Sequence, residues 1–206
     1  MLKSRLIATA FTVAIAFGAT PVSAATTFTT NFDSYAQCNG CWTVVQNVEG
    51  WTTLSGAGIE LQHNAAGAPQ SGINLVELDS YNNSAMGRTV SAGNYVLNFF
   101  YSPRPGVGSA SNIIDVKIGD TLLGSITGNG REQTNWTNYT YNFNIGSAQT
   151  LSFAARGTND SLGGYIDTVS LQSAVPEPHS WMMMIFGFGA VGAALRRQRK
   201  LATACA

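Results

Sequence analysis

Apolar and polar side chains alternate most clearly in Tyr139-Thr140-Tyr141-Asn142-Phe143-Asn144-Ile145, with aromatic and aliphatic groups on one face and polar groups on the other. Tyr95 to Tyr101 repeats the pattern, with Val96 and Phe100 interrupting its polar face, and Ile114, Val116 and Ile118 alternate with Asp115 and Lys117. Shorter candidate strands cover 28–32, 42–48, 59–62, 73–78, 121–126, 150–154 and 166–171. Turn signals separate them: Ala92-Gly93-Asn94, Pro103-Arg104-Pro105-Gly106, Gly119-Asp120, Gly128-Asn129-Gly130, and a long loop from Gly157 to Gly164. No stretch between the two ends has a helical period. About ten short strands at this spacing predict an all-β fold, an antiparallel β-sandwich of the jelly-roll kind.

The two ends follow a different pattern. Lys3 and Arg5 precede an apolar run from Leu6 to Ala19, and Val22-Ser23-Ala24 supplies small residues for cleavage. That order predicts a signal peptide over 1–24 and a mature chain that starts at Ala25. At the other end, Pro176-Glu177-Pro178 is followed by the uncharged run Trp181 to Leu195 and then by Arg196, Arg197, Arg199 and Lys200. The run is 15 residues long, short of the roughly 17–25 of a full span. Snorkelling Arg and Lys stems close that gap, and four cations hold their end in the cytoplasm. A C-terminal transmembrane helix with a short cytoplasmic tail at 201–206 is the expectation.

This tail resembles the PEP-CTERM bacterial sorting signal, in the variant where Pro176, Glu177 and Pro178 are followed by Trp181, a glycine-rich helix with Gly187, Gly189 and Gly192, and an Arg196-Arg197 end. Met182 stands where that family usually has Ala. The resemblance implies sorting over 175–200 by an exosortase, a membrane transpeptidase-like protease, so that the helix is an address; a plain single-span anchor is the alternative. Between the ends, Phe32-Asp33, Gly50-Trp51, Ile59-Glu60, Val76 to Ser80, Gly93 to Phe99, Asn135-Trp136 and Ile166 to Leu171 follow in an order similar to the galactose-binding-like β-sandwiches. That resemblance implies a jelly roll over 25–174 with adjacent terminal strands, and often a structural calcium site or a carbohydrate site.

Formal charge balances over the whole chain, with 11 basic and 11 acidic residues. The body keeps only Arg88, Arg104, Lys117, Arg131 and Arg156 against ten acids, about −5, with no basic cluster. Nucleic acid is therefore excluded as a partner, since phosphate binding needs clustered cations. Extracellular sugars and divalent cations suit such a surface better.

Candidate chemistry is sparse. Cys38-Asn39-Gly40-Cys41 reads as a small structural disulfide in an exported protein, with free thiols or redox activity as alternatives. No second Cys pair or Cys–His set completes a zinc site, and Cys205 has no evident partner. His63 lies in a polar loop as an ordinary solvated side chain. Asp167 shares strand parity with Val169 and Leu171, and a carboxylate aimed at an apolar face needs donors or a cation. Asp33 approaches it if the terminal strands are neighbours, and such oxygens suit structural calcium; otherwise Asp167 caps a turn by accepting backbone N–H bonds. Glu77 and Asp79 read as exposed strand-end groups. Trp42, Trp51 and Trp136 are candidate sugar-stacking rings, and Tyr81, Tyr101 and Tyr165 also fall near turns or strand ends.

Two functions remain. The first is an exported, non-catalytic cell-surface or extracellular-matrix protein, anchored in the membrane before processing, with polysaccharide as the candidate ligand. The second is an exported glycan- or ester-hydrolysing enzyme. A convergent acid pair in a deep cleft favours the enzyme; a shallow aromatic platform without one favours the binding protein.

Overall fold

A computed structural model describes residues 26–174, 184–193 and 196. Two antiparallel sheets stack face to face. The front sheet contains β1 (Phe28–Thr30), β2 (Cys41–Val45), β5 (Ile59–His63), β6 (Leu75–Glu77), β8 (Gly93–Ser102), β11 (Thr137–Ile145) and β13 (Tyr165–Ser173). The back sheet contains β3 (Asn47–Val48), β4 (Trp51–Ser55), β7 (Ala85–Val90), β9 (Ile114–Ile118), β10 (Thr121–Ile126) and β12 (Gln149–Ala155). The front order is β11-β8-β13-β6-β5-β2, with β1 also on β13; the back order is β10-β9-β12-β7-β4-β3.

The alternation in the sequence determines which side chains lie between the sheets. Tyr95, Leu97, Phe99 and Tyr101 of β8 point inward and meet Leu151 and Phe153 of β12 in one apolar cluster. Phe99 and Phe153 cross edge-to-face with centroids 4.9 Å apart, a geometry that adds about 1 kcal/mol beyond area burial. Trp51 closes one end of this core, 5.8 Å from Phe28 and 5.5 Å from Phe153.

The expected sandwich is observed, with differences in detail. The run 42–48 is not one strand: the chain leaves the front sheet after Val45 and enters the back sheet at Asn47. Glu49 and Gly50, both with positive φ, then turn β3 into β4. Strands β4 and β7 are additional to those expected, because Thr52, Thr53, Gly87 and Arg88 break their apolar periodicity. A Cβ on Gly87 would fall 2.5 Å from Leu54 Cδ1, so the Leu54 side chain packs across β7 in the space that glycine leaves.

The first and last strands are neighbours. On one side of β13, Tyr165 and Ile166 pair with Glu77 and Val76 of β6, and Val169 to Leu171 pair with Thr30 to Phe28 of β1. Between the two partners the register against β8 shifts, and Thr168 takes φ +47°. Asp167 stands at this bulge. C-terminal to the sandwich, a helix (α1) is described over 184–193 with its residues exposed. Among the described residues no helix is long and apolar enough to cross a membrane. The outer parts of the expected span, from Trp181 to Leu195, lie outside the described residues, as does the expected signal peptide.

Candidate functional site

Cross-strand register sets a row of side chains on the outer face of the front sheet. Glu60 of β5 pairs with Glu77 of β6, and Glu77 pairs with Tyr165 of β13. Gln62 is two residues along β5 from Glu60 and therefore on the same face; it pairs with Trp42 of β2. The Gln62 amide donates both to Glu60 Oε1, at 2.7 Å, and to Glu77 Oε2, so one Nε2 ties the two carboxylates together. Arg104 reaches across from the loop after β8, donates through Nη1 to Glu77, and lies 5.9 Å from the Tyr165 ring centre. The Gly163 amide closes the other Glu77 oxygen at 2.6 Å.

Above this row lies an open cleft of about 410 Å³. Trp42 and Tyr81, exposed at 49% and 67%, meet edge-to-face 6.0 Å apart at its rim. Glu60, Gln62, Ser80 and Arg104 contribute polar atoms, with Ser161 at one margin. Ser80 is buried and its hydroxyl has no hydrogen-bond partner. Glu77 lies beneath Arg104 and does not line the cleft. The arrangement offers two exposed rings for apolar faces, and a carboxylate and a guanidinium for polar edges.

Glu77 and Asp79 are both fully buried, which corrects the expectation that they are exposed strand-end groups. They are buried because the loop 156–164 folds over them. Asp79 Oδ2 accepts the amides of Asp160 and Ser161 at 3.2 and 3.1 Å, while Glu77 takes Gly163. Burial pushes the Glu77 carboxyl up to about 8; Glu60 and Asp79 add repulsion, and Arg104 and the Gly163 amide oppose it. Burial also raises Asp79, against the amides that bind it.

Asp33 and Asp167 converge on one loop. Asp167 Oδ2 accepts the amides of Gln70 and Ser71 at 2.8 and 3.1 Å, and its Oδ1 accepts Thr168 at 2.6 Å. Asp33 Oδ1 accepts the amides of Ile73 and Asn74 at 2.8 and 3.0 Å, and its Oδ2 accepts the Asn31 amide group at 2.6 Å. Gly72 sits between the two grips with φ +65°, and a Cβ there would land 1.6 Å from Asp33 Oδ2. Burial raises Asp167 to about 7, against the amides of Ser71, Thr168 and Gln70. These carboxylates face N–H dipoles, whose positive ends occupy the lone pairs a cation needs. That donor set does not fit calcium, and among the described residues no group of three or more His, Cys, Asp or Glu is placed to hold a metal.

The remaining expected residues are dispersed. Trp51 has no exposed surface and belongs to the core, because it is the inward-facing first residue of β4. Trp136 is half-buried outside the cleft and donates through Nε1 to the Ala68 carbonyl at 3.1 Å. Tyr101 and Tyr165 are buried, and of the turn-proximal tyrosines Tyr81 reaches the cleft. Cys38 and Cys41 form a disulfide across a turn in which Gly40 has positive φ. His63 Nδ1 is 3.1 Å from the Gln37 carbonyl oxygen. Arg196 is helical and exposed; Pro176, Glu177, Pro178, Trp181 and Arg197 lie outside the described residues. Sequence reasoning passed over Glu60 and Gln62, although their shared parity with Trp42 across the β2–β5 pair was a usable signal.

Residues 174–200 match the family described as PEP-CTERM protein-sorting motif, and the chain carries that motif. It marks an exported, surface-sorted protein. No curated protein matches the chain. Among solved structures, the K2 cleaved adhesin domain of Lys-gingipain aligns with TM-score 0.56 at 16% identity, covering 72% of this chain and 98% of that one. The K1 cleaved adhesin domain from Porphyromonas gingivalis W83 aligns with TM-score 0.42 at 15% identity, covering 73% and 99%. A family 35 carbohydrate binding module from Clostridium thermocellum aligns with TM-score 0.38 at 14% identity, covering 65% and 99%. At 16% identity the likeness to the K2 domain is one of fold.

Proposed function

We propose that this protein is an exported, surface-sorted glycan-binding protein whose ligand lies in the Trp42–Tyr81 cleft. One observation carries this reading: two exposed rings stand beside an open cleft whose lining includes the Glu60 carboxylate and the Arg104 guanidinium. A sugar presents apolar C–H faces and hydroxyl edges together, and this cleft offers a partner for each. The open shape favours a chain segment or terminal residue over a small enclosed ligand. Binding without hydrolysis follows from the carboxylates. A glycosidase needs two acids flanking the scissile bond, and Glu77 is sealed beneath Arg104 while Glu60 alone of that pair lines the cleft.

In the same reading, residues 1–24 direct export, and an exosortase-type protease acts at the segment that starts with Pro176-Glu177-Pro178. The basic end holds the tail in the inner membrane until then. A glycan array probed with the exported protein, followed by titration of the best ligand, tests the cleft. Trp42→Ala and Tyr81→Ala should each lose that ligand, with no sugar released from it by the parent protein. Equal binding by both variants overturns the cleft as the site. Replacing Pro176, Glu177 and Pro178 by alanines should leave export intact and hold a larger form in the inner membrane. Equal release into the medium removes the sorting step.

A further inference from the structure

The sandwich has five edge strands among the described residues, and four of them offer little to a neighbouring chain. Strand β3 has two residues, β1 has three, β2 has five, and β10 is interrupted by a register shift between Leu122 and Gly124. Strand β11 differs. It has nine residues in unbroken register with β8, from Thr137 opposite Tyr101 to Ile145 opposite Gly93. It contains no charge, proline or glycine, the devices that usually keep an edge from pairing. Asn138, Thr140, Asn142 and Asn144 are exposed, and Tyr139, Tyr141 and Phe143 are half-buried.

The strand is also close to a palindrome. Turned antiparallel against itself about Tyr141, it sets Asn138 opposite Asn144, Thr140 opposite Asn142, and Tyr139 opposite Phe143. Each pair joins like chemistry and keeps each side chain on its own face, as a two-fold interface requires. No like charges meet, the free backbone groups of both edges pair, and the aromatic pairs cover each other's exposed ring edges. We propose that β11 pairs with β11 of a second copy, joining two front sheets across a two-fold axis into one continuous sheet. The contact closes on itself, so it makes a dimer and not a fibre.

Sedimentation of the full chain in detergent, over a dilution series, tests this with two variants at the same two positions. Thr140→Lys with Asn142→Lys places Lys opposite Lys twice across the axis and should weaken the dimer at least about tenfold. Thr140→Lys with Asn142→Glu places Lys opposite Glu twice and should restore it. Both variants lose the Thr140–Asn98 hydrogen bond alike, so a folding defect would affect them equally and show in their melting curves. A dimer in both double variants means association through another surface, such as the apolar tail, and overturns the proposal. So does a parent chain that is monomeric throughout, or one that forms open fibres.

Discussion

Acids held by backbone amides occur in two places beside the front sheet and are used differently. At the junction of β1, β6 and β13, the oxygens of Asp33 and Asp167 are taken up by amides of the 70–74 segment, by Thr168 N–H and by the Asn31 side chain. Across the sheet, Glu77 is enclosed, but Glu60 beside it lines an open cleft together with Trp42 and Tyr81. A polar group whose valences are filled within the chain fixes a loop. One whose valences remain open at a surface is available to a ligand. Function is therefore better sought among the polar atoms the fold leaves over than among its acids as a class.

The largest expected effect lies on the filled side. Asp167→Ala leaves the amides of Gln70, Ser71 and Thr168 without their acceptor, and at about 1–3 kcal/mol for each buried orphan the loss should reach roughly 3–5 kcal/mol in urea unfolding. Trp42→Ala should change stability by less than about 0.5 kcal/mol. A reversed ranking would break the comparison.

Next comes the pH dependence. Folding raises Glu77 from 4.5 to about 8 and Asp167 from 3.8 to about 7, so the native state holds protons the unfolded chain has released. Their contribution is fully present below the unfolded values and declines as pH rises from about 4 to about 8. Urea midpoints should fall across that window, and Glu77→Gln should flatten its upper part. A midpoint that rises with pH there would contradict the burial of both groups.

On the open side, Trp42→Ala and Tyr81→Ala should weaken glycan binding at least about tenfold by titration, at nearly unchanged melting temperature. Loss of fold in either variant would mean that the rings are structural and that the two regions do not differ. The smallest effect concerns metal. Calcium at millimolar-order concentration should leave the melting curve where chelator leaves it, because amides already fill Asp33 and Asp167. A calcium-dependent rise, lost in Asp167→Asn, would place a cation where the N–H groups now point.

Much of the framework was legible in the sequence because period-2 alternation is a local signal. Strands β8, β9 and β11 show it plainly, and each lies close to where the alternation placed it. Strands β4 and β7 were not legible, since a glycine and two threonines at the pairing surface look like loop chemistry until the neighbouring strand is known. Asp167 is buried, but not as strand parity suggested: the bulge at Thr168 sets it on the outer face opposite Phe100, away from Val169 and Leu171, and what satisfies it is a segment nearly a hundred residues upstream, which parity cannot name. Glu77 was misread for the same reason: its lid is the 156–164 loop, brought over it only by the fold. Trp42 and Trp51 look equivalent in sequence and separate only when the chain changes sheets after Val45.

The place of β13 has a mechanical consequence. The sorting motif begins directly after this strand, and Ala174 N–H still bonds to the Asn94 carbonyl at 2.8 Å. In the proposed sorting step, with the tail held at the membrane, drag on the domain is applied along β13. That strand is an interior one, flanked by β8 on one side and by β6 and β1 in tandem on the other. Tension along its axis loads these ladders in shear, many hydrogen bonds at once, and does not unzip them singly as it would at an edge. The tether we propose would therefore pull on a strand that resists pulling.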